Sequence, residues 1–435
     1  MKDDSVKIGV VGLGTVGSAV VRALRRNRAV VRARCGVDVE VWRVAELDRR
    51  RLHAVGLPPR RLSQDYRAVL AAPEIEIVVE LIGGTGAACE LVAGALRAGK
   101  HVVTANKALL AAQWQQIFSL AHGQRRAVGF EASVMAGVPV IRTLQEGLAG
   151  NVIDSLFGIL NGTSNFILTR MANRGMEFRR ALDEARRRGL CEADASLDID
   201  GYDAAQKLAI LASIALGKWL PPSEVYREGI GHIERQDLAA AREQFGYVLR
   251  PLAVFKQRAG RVEARVHPTF IPQTHPLAAI ENEFNAILIN SDTAGPVTLA
   301  GKGAGAKPAA SGVISDVIAL ARAIRQGGEG GIPVPLRPAG RRARIAPVAD
   351  VETKFYLRFS VVDRPGVLSF ISGALGKNKV SIATCHQRGR SERGAVPVIM
   401  VTHQAREGAV RKALAEIDSA TRIVKRKTVA IRIEE

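Results

Sequence analysis

The 435-residue sequence predicts an α/β protein of about two or three domains. Three stretches carry this prediction. Near the start, a short apolar strand runs through a glycine-rich turn into a helix pattern. Near the middle, an acidic stretch leads into an apolar helix pattern. At the end, strand and helix patterns follow the order β-α-β-β-α-β, which is typical of a ferredoxin-like unit.

The first stretch has the context that a dinucleotide site requires. Residues 6–11 form the strand pattern, residues 12–17 read GxGxxG and residues 18–26 read as a helix. The first glycine permits a tight turn, the second lets a pyrophosphate approach the backbone, and the third lets helix and strand pack closely. The helix N-terminus then faces the phosphates. We therefore expect a Rossmann domain with one set of cofactor-binding residues: Gly12, Leu13, Gly14, Thr15, Val16 and Gly17.

The residues after the second predicted strand, 37–45, bear on which nicotinamide cofactor binds. Glu46 and Asp48 are acids of the type that bind the ribose hydroxyls of NAD. The arginine run 49–51 could instead bind the 2′-phosphate of NADP, or could simply be solvated. NAD and NADP therefore both stay open, and the arginine run favours NADP.

Two further strand patterns end in residues suited to ligand binding. Residues 75–82 precede Gly83 and Gly84, and residues 101–104 run into Lys107. The carboxyl ends of parallel strands are where such folds bind ligands, so we expect these residues near the cofactor. The alternative is that Lys107 is only a solvated lysine.

The acidic stretch, residues 192–207, contains five carboxylates and a lysine. Asp203 and Lys207 are four apart, which puts them on one face of a helix. An acid–lysine pair at the start of a buried helix could relay a proton, and the other carboxylates could hold a substrate ammonium group. The alternative is a surface loop with an ordinary salt bridge, which is common and weak.

Composition narrows the class of protein. Hydrophobic residues make up 47% and the mean hydropathy is +0.06, as in a globular protein with a core. No apolar run reaches the roughly 18 residues of a spanning helix, and the first residues lack a signal-peptide pattern. Four cysteines without CxxC spacing indicate reduced thiols, so we expect a cytoplasmic protein without a membrane partner.

The net charge of +20 would permit nucleic-acid binding. The arginines, however, come in short clusters that are not interleaved with aromatic residues, which are only 5% of the chain. We therefore expect no nucleic-acid partner.

Eight segments follow one another through almost the whole chain: GLGTVG at 12–17, ELIGG at 80–84, GKHVVTANKALL at 99–110, FEA at 130–132, NGTSN at 161–165, EAD at 192–194, DGYDAAQK at 200–207 and GKGAGAKP at 301–308. This ordered set resembles the homoserine dehydrogenase family. The resemblance implies a Rossmann domain (1–131), an α+β substrate-binding and dimerisation domain (132–308), a helix returning to the nucleotide domain (309–325), a linker (326–353) and an ACT regulatory domain (354–435).

The resemblance implies NAD(P)-dependent interconversion of L-homoserine and L-aspartate 4-semialdehyde. It implies that Lys207 transfers the proton, that Asp203 orients it, and that Lys107 lies between cofactor and substrate. It also implies a set of substrate-binding residues near the amino end of the substrate: Glu192, Asp198, Gly162 and Thr163.

The family also binds a monovalent cation. The resemblance implies a Na⁺ site made by Glu131 and the main-chain carbonyls of Val134, Ala136 and Val138. A carboxylate with several carbonyls suits a hard cation, although from sequence alone Glu131 is an ordinary polar residue. Gly303 would approach the nicotinamide, the alternative being a plain turn from loop to helix.

Three positions depart from the family pattern. Leu190 stands where a tyrosine is usual, and Ala87 and Ala195 lie where prolines are usual. These positions belong to pocket walls and turns, so we expect them to alter affinity more than chemistry.

The C-terminal elements are predicted as strands at 355–362, 380–384, 396–402 and 428–433 and as helices at 369–375 and 407–417. Before the linker we predict strands at 285–290 and 296–299 and a helix at 309–324.

The turn at 363–368 resembles that of an ACT domain. This resemblance implies feedback by an end product, L-threonine, which would bind between paired modules. The alternative is a module that only assists oligomerisation. We expect a homodimer or higher oligomer, without an aspartokinase region.

Two other functions fit the sequence less well. Aspartate-semialdehyde dehydrogenase would need a nucleophilic cysteine, and none of the four stands in a suitable motif. A non-catalytic amino-acid sensor would not need Lys107, Asp203 and Lys207, which this chain has.

Overall fold

The computed structural model describes residues 5–191, 194–258, 260–326, 343–387 and 394–435. Most of the predicted linker and the predicted substrate residue Glu192 lie outside the described residues.

The described strands, in chain order, are β1 (Ser5–Val11), β2 (Asp38–Ala45), β3 (Leu62–Ser63), β4 (Ile77–Glu80), β5 (His101–Thr104), β6 (Val128–Gly129), β7 (Ile153–Ile159), β8 (Tyr226–Arg227), β9 (Tyr247–Arg258), β10 (Arg261–Pro272), β11 (Phe284–Ser291), β12 (Gly295–Lys302), β13 (Glu352–Val362), β14 (Ile382–Gln387), β15 (Ala395–Thr402), β16 (Ala405–Arg406) and β17 (Val424–Ile433).

The described α-helices are α1 (Thr15–Arg26), α2 (Arg28–Cys35), α3 (Arg49–Ala54), α4 (Arg67–Leu70), α5 (Ala87–Arg97), α6 (Lys107–Gly123), α7 (Val140–Arg142), α8 (Gly162–Arg174), α9 (Phe178–Arg187), α10 (Ser196–Ile199), α11 (Tyr202–Leu216), α12 (Arg235–Phe245), α13 (Ala306–Arg325), α14 (Val367–Lys377) and α15 (Glu407–Ser419). Short 3₁₀ turns lie at Pro59–Arg61, Glu131–Ser133, Pro222–Glu224 and Val348–Asp350, and a π-helical turn at Thr143–Gly147.

The chain divides into two compact units. The first contains residues 1–162, 203–225 and 283–343, and the second contains residues 163–202, 226–282 and 344–435. Each unit is therefore assembled from three separated stretches of sequence.

The first unit contains a six-stranded parallel sheet in the order β3-β2-β1-β4-β5-β6. This is the strand order of a Rossmann fold, as predicted. Its strands are apolar runs because helices cover both faces of such a sheet. Buried residues of β1, β2, α1 and the much later α13 form one core: among them Ile8, Val10, Val20, Leu24, Val313 and Val317.

The first unit also contains an antiparallel sheet in the order β12-β11-β7. The helix α11 belongs to this unit from Asp203 onward, and its residues from Leu208 to Ile214 are buried almost without interruption. A helix that is apolar on all sides needs a fully enclosed position. The packing of α11 therefore also sets the position of Asp203 in its first turn.

The second unit contains the C-terminal β-α-β-β-α-β elements. Their antiparallel strands are ordered β17-β13-β15-β14, which is the ferredoxin-like arrangement that the sequence predicts. The sheet does not end there, because β17 pairs in parallel with β10 at Thr269–Arg432 and Phe270–Ile433. The C-terminal module therefore shares one continuous sheet with the long hairpin of β9 and β10.

Several elements differ from the sequence prediction. The hairpin β9–β10 was not predicted, because Arg250, Pro251, Arg265 and Pro268 interrupt its apolar pattern although most of its residues are buried. Likewise β17 begins four residues earlier than predicted, at Val424. Three basic residues follow Val424 on an exposed part of the strand, and their charge hides the strand pattern.

None of the helices among the described residues combines the length and the apolar character that crossing a membrane requires.

Candidate active site

The glycine turn after β1 is shaped by two close approaches of the backbone. Gly12 has φ +96°, and a Cβ there would lie 2.6 Å from the carbonyl oxygen of Leu81. A Cβ on Gly17 would overlap the carbonyl of Gly12. Among the described residues no atom lies within 4 Å of the corresponding point at Gly14. The first and third glycines therefore close the turn, and the second leaves room for a ligand.

Helix α1 begins at the end of this turn with open backbone donors. Its N-cap is Gly14, and no side chain caps it. The N–H groups of Thr15 and Val16 therefore lie in the first turn of an uncapped helix, which is a site for a phosphate group. The predicted cofactor-binding residues 12–17 thus lie together at the carboxyl end of β1.

The acid after β2 is held by the glycine turn. Glu46 accepts the backbone N–H of Leu13 at 2.5 Å and that of Asp48 at 3.0 Å. Asp48 in turn caps helix α3 through the N–H groups of Arg50 and Arg51. The sequence considered Glu46 and Asp48 as ribose ligands, whereas in the structure Glu46 joins its loop to the glycine turn and Asp48 caps α3.

The loop after β4 is organised by a buried acid that sequence reasoning did not single out. Glu80 is fully buried and accepts the N–H groups of Ile82 and Gly83 at 2.9 and 3.1 Å. Its other oxygen accepts the hydroxyl of Thr104 at 2.5 Å. A glutamate that ends an otherwise apolar strand was the available signal. Glu80 joins the ends of β4 and β5, where the predicted residues Gly83 and Lys107 follow.

Gly83 and Gly84 have φ of +74° and +72°, so this turn favours glycine at both positions. The side chain of Asn106 donates to the Gly84 carbonyl at 2.7 Å and accepts the N–H of Leu109, which caps α6. Lys107, expected at the end of a strand, is the first residue of this helix. The cap therefore fixes where the lysine side chain starts.

Asp203 brings the two predicted lysines together. One of its carboxylate oxygens lies 3.0 Å from Nζ of Lys107, and the other lies 2.7 Å from Nζ of Lys207. The amide of Asn161 also donates to Asp203 at 3.0 Å. Burial raises the pKa of Asp203, but the ammonium groups of Lys207 and Lys107 outweigh it and hold that pKa well below its usual range. Asp203 is therefore an anion that orients two cations.

Lys207 is nearly enclosed, with 11% of its side chain exposed. Besides Asp203 it donates to the Leu160 carbonyl at 2.7 Å. An ammonium group has three N–H donors, and the third has no partner among the described residues. Two fixed hydrogen bonds determine the direction of the remaining N–H. The arrangement can therefore deliver a proton to, or accept one from, an oxygen at one defined position.

The predicted cation residues lie in and after the turn that follows β6. Glu131 is 2% exposed, and its two oxygens accept the N–H groups of Ile141 and Arg142, each at 2.8 Å. Each oxygen keeps lone pairs for a further ligand. Burial raises the pKa of Glu131, a penalty on its charge that a bound cation would offset. A buried carboxylate of this kind fits a hard monovalent cation.

The carbonyl residues of this predicted site, Val134, Ala136 and Val138, are all buried. The carbonyl of Ala136 faces the helix α13, since it lies 2.6 Å from where a Cβ of Gly312 would be. The carbonyl of Val138 already accepts the N–H of Val140 at 2.8 Å. No cluster of three or more His, Cys, Asp or Glu side chains suited to a metal occurs in the described part of the chain.

Asp316 on α13 is a second acid that the sequence reading missed. It accepts the N–H of Glu131 at 2.8 Å and lies 3.6 Å from Arg142. Burial and the nearby Glu131 raise the pKa of Asp316 to about 7. An acid on the buried stripe of a helix, between Gly312 and Leu320, was the available signal. Asp316 ties α13 to the turn that carries Glu131.

The predicted substrate residues are divided between the two units. Gly162 lies in the first unit, where a Cβ would come within 2.7 Å of the Glu283 carbonyl. Thr163 and Asp198 lie in the second. There the hydroxyl of Thr163 donates to the Leu190 carbonyl at 2.9 Å. The backbone carbonyl of Asp198 accepts the hydroxyl of Ser164, also at 2.9 Å.

The three departures from the family pattern occupy ordinary structural positions. Leu190 is partly buried against the core of the second unit, and Ala195 is 4% exposed. Ala87 is the first residue of α5, where a proline would also be tolerated.

A Rossmann fold with an open glycine turn, in one unit with an oriented and nearly enclosed ammonium group, defines the class of protein: a nicotinamide-dependent oxidoreductase. Residues 12–131 match the family model for the NAD-binding domain of homoserine dehydrogenase, residues 139–318 match that for homoserine dehydrogenase, and residues 355–419 match the ACT domain. The chain belongs to the homoserine dehydrogenase family.

Similar proteins span nearly the whole chain. The homoserine dehydrogenase of Synechocystis sp. is 40% identical over 419 residues, which are 95% of this chain and 96% of that protein. The crystal structure of a homoserine dehydrogenase from Thiobacillus denitrificans has a TM-score of 0.92 at 38% identity, covering 99% and 98% of the two chains. A hyperthermophilic archaeal homoserine dehydrogenase in complex with NADPH has a TM-score of 0.61 at 28% identity, covering 72% of this chain and 97% of that one.

Proposed function

We propose that this enzyme interconverts L-homoserine and L-aspartate 4-semialdehyde, with Lys207 as the proton-transferring group. The observation that carries the assignment is the carboxylate of Asp203, which binds Lys207 at 2.7 Å and Lys107 at 3.0 Å. When bound, the nicotinamide supplies the hydride acceptor or donor. The chain must then supply the proton transfer and hold the substrate.

Lys207 serves both directions of the reaction. In reduction, its ammonium group gives a proton to the alkoxide oxygen that forms from the aldehyde. In oxidation, the neutral amine takes the proton from the substrate hydroxyl. Asp203 and the Leu160 carbonyl hold the nitrogen in place throughout, and this orientation contributes to the rate.

The remaining roles concern binding. Lys107 is more exposed than Lys207, with 36% of its side chain accessible, and it makes its described ion pair through one N–H only. This supports a place between cofactor and substrate. The amino end of the substrate is assigned to the set named by the family resemblance: Glu192, Asp198, Gly162 and Thr163. Gly83, Gly84 and Gly303 are assigned to the cofactor, with Gly303 near the nicotinamide.

NADP is proposed as the preferred cofactor. Glu46, the acid placed to bind a ribose hydroxyl, is occupied by two backbone N–H groups. The side chain of Arg50 is exposed and makes no hydrogen bond or ion pair with any other described residue, so it is available for a 2′-phosphate. The archaeal relative in complex with NADPH also supports this preference.

Arg50→Ala tests this preference. It should lower kcat/KM with NADP by about tenfold while leaving that with NAD unchanged, since a charged hydrogen bond contributes about 1.5 kcal/mol or more. Equal losses with both cofactors would contradict it. Arg22→Ala, on the exposed side of α1, is the matched control.

Three further properties are proposed. Na⁺ binds at Glu131 with the carbonyls of Val134, Ala136 and Val138. L-threonine acts as feedback effector at the turn 363–368 of the ACT domain, between paired modules of a homodimer or higher oligomer. The protein works in the cytoplasm. Light scattering with and without L-threonine tests the assembly and its response together.

The first experiment follows the oxidation of L-homoserine at the nicotinamide absorbance. NAD and NADP are tested in parallel, with Na⁺ or with a large organic cation in its place, and with or without L-threonine. Turnover that depends on homoserine supports the assignment. A folded protein without turnover under any of these conditions would indicate instead a non-catalytic amino-acid sensor.

A further inference from the structure

Asn285 is a buried polar residue on β11 for which the proposed mechanism gives no role. It is 1% exposed and lies opposite Gly301 in the pairing of β11 with β12. Its side-chain amide donates to the Leu160 carbonyl at 2.9 Å. That same carbonyl accepts the ammonium group of Lys207 at 2.7 Å.

The Leu160 carbonyl is therefore shared by two donors. A carbonyl oxygen has two lone pairs, and each is used here. The Asn285 side chain extends from β11, which is paired with β12 on one side and β7 on the other, so its amide fixes the position of the carbonyl oxygen. The oxygen in turn fixes one of the two hydrogen bonds that orient Lys207. Asn285 thereby influences Lys207 indirectly, through the Leu160 carbonyl.

Gly303 is connected to the same amide. A Cβ on Gly303 would overlap the Cγ, Nδ2 and Oδ1 atoms of Asn285. Gly303 is not among the residues with positive φ, so its backbone conformation does not itself require glycine. The space is needed because the Asn285 side chain fills it.

We propose that Asn285 is a positioning residue for Lys207, and that position 303 is glycine to leave room for the Asn285 amide. This inference rests on the proposed role of Lys207. It adds a reason for Gly303 that is independent of any contact with the nicotinamide.

The test is a double-mutant cycle of Asn285→Ala, Gly303→Ala and the double variant, measured as kcat, as KM for the cofactor and as melting temperature. Asn285→Ala should lower kcat by about ten- to a hundredfold with KM for the cofactor unchanged, since misplacing a reacting group by about 1 Å can cost about a hundredfold. Gly303→Ala should lower kcat similarly, because the new methyl group displaces the amide. The double variant should be no slower than Asn285→Ala alone.

Asn290→Ala is the matched control. Asn290 lies on the same strand, and its amide donates to the hydroxyl of Ser155 at 2.9 Å rather than to a group that binds Lys207. This variant should keep kcat within about twofold, as expected for a polar contact outside the site.

Two results would overturn the inference. Additive losses in the double variant, with a higher KM for the cofactor in both variants that carry Gly303→Ala, would assign Gly303 to the nicotinamide alone. A lower melting temperature with unchanged kcat in Asn285→Ala would make the residue purely structural. If Asn285→Ala does not fold, Asn285→Ser with and without Gly303→Ala gives the same comparison. A wild-type protein that does not oxidise homoserine would contradict the proposed function first, before any variant is compared.

Discussion

Two largely enclosed carboxylates in this protein each bridge two cations, and they illustrate different uses of the same arrangement. In the first unit, Asp203 lies between two lysines at 2.7 and 3.0 Å. In the second unit, Glu434 lies between Arg265 and Lys256, both at 2.6 Å. Burial would raise the pKa of each carboxyl, but the neighbouring cations hold both below their ordinary values.

The two sites differ in the hydrogen bonds that their cations make. Lys207 keeps one N–H without a described partner, directed by its two other hydrogen bonds. Arg265 is 1% exposed, and all three of its nitrogens are bound, to Glu263, His267 and Glu434. A lysine can give and take a proton through an open donor, whereas an enclosed guanidinium whose nitrogens are all bound stays protonated and can only stabilise the fold.

The largest expected effect is at Lys207. Lys207→Ala should lower kcat by roughly a thousandfold, because it removes the group proposed to transfer the proton, while the circular dichroism spectrum stays unchanged. Lys100→Ala is the matched control, since Lys100 is also buried but donates to the carbonyls of Ala72 and Ile75. That variant should lose stability but not kcat per folded molecule. Near-normal turnover in Lys207→Ala would refute the assignment.

The next effect is on stability at the other carboxylate. Glu434→Gln should lower the free energy of unfolding by about 3 kcal/mol, because it removes the buried counter-ion of Arg265 and leaves only the more exposed Glu263 to offset its charge. Chemical denaturation measures this loss. Since Glu434 has no role in proton transfer, kcat at saturating substrate should stay within about twofold. A large loss of kcat without a loss of stability would show that the comparison with Asp203 is wrong.

The third effect is on the pH dependence of stability, in which a buried histidine differs from these carboxylates. The lowered pKa values mean that Asp203 and Glu434 contribute stability above their ordinary values of 3.8 and 4.5 and lose it only below them. Burial, with a smaller effect of Arg126, lowers the pKa of His101 to about 4. Between pH 6.5 and 4 the unfolded chain therefore binds a proton at His101 that the folded chain does not. The free energy of unfolding consequently decreases as the pH is lowered through this range.

The size of this third effect is at most about 3 kcal/mol over that range. His101→Asn should flatten this part of the stability curve, measured by denaturation at several pH values. An unchanged slope would mean that other groups, such as the buried His267, carry the acid sensitivity.

The smallest effect is expected at an exposed pair. Arg406 and Glu352 lie 3.0 Å apart, but 66% and 58% of their side chains are exposed. Arg406→Ala should change the free energy of unfolding by no more than about 0.5 kcal/mol, because water screens the charges. A loss as large as that of Glu434→Gln would mean that burial does not decide the strength of these pairs.

Local patterns allowed much of the first unit to be predicted from sequence. The turn at 12–17 and the pair Asp203–Lys207 depend on residues a few positions apart, so the rules for a strand–turn–helix and for one helix face are sufficient. The ordered family motifs added Lys107 to this site. The C-terminal topology was also predicted, because each of its elements has its own periodicity.

The elements that sequence missed depend on distant partners. The hairpin β9–β10 carries the buried Arg265, whose buried counter-ion Glu434 lies far along the chain. A charged residue in a strand pattern therefore gave no local sign that it is enclosed. The same limit applies to Asp316, whose partner Glu131 lies 185 positions earlier.

By itself the sequence determined the cofactor-binding fold, the family and the acid–lysine pair, since these follow from short-range spacing and ordered motifs. Only the tertiary structure determined the orientation of the Lys207 ammonium group. The Leu160 carbonyl reaches Lys207 from another segment, and Asn285 reaches that carbonyl from a strand 125 residues away. Hydrogen-bond direction depends on where folded segments meet, and no pattern within one segment encodes that meeting.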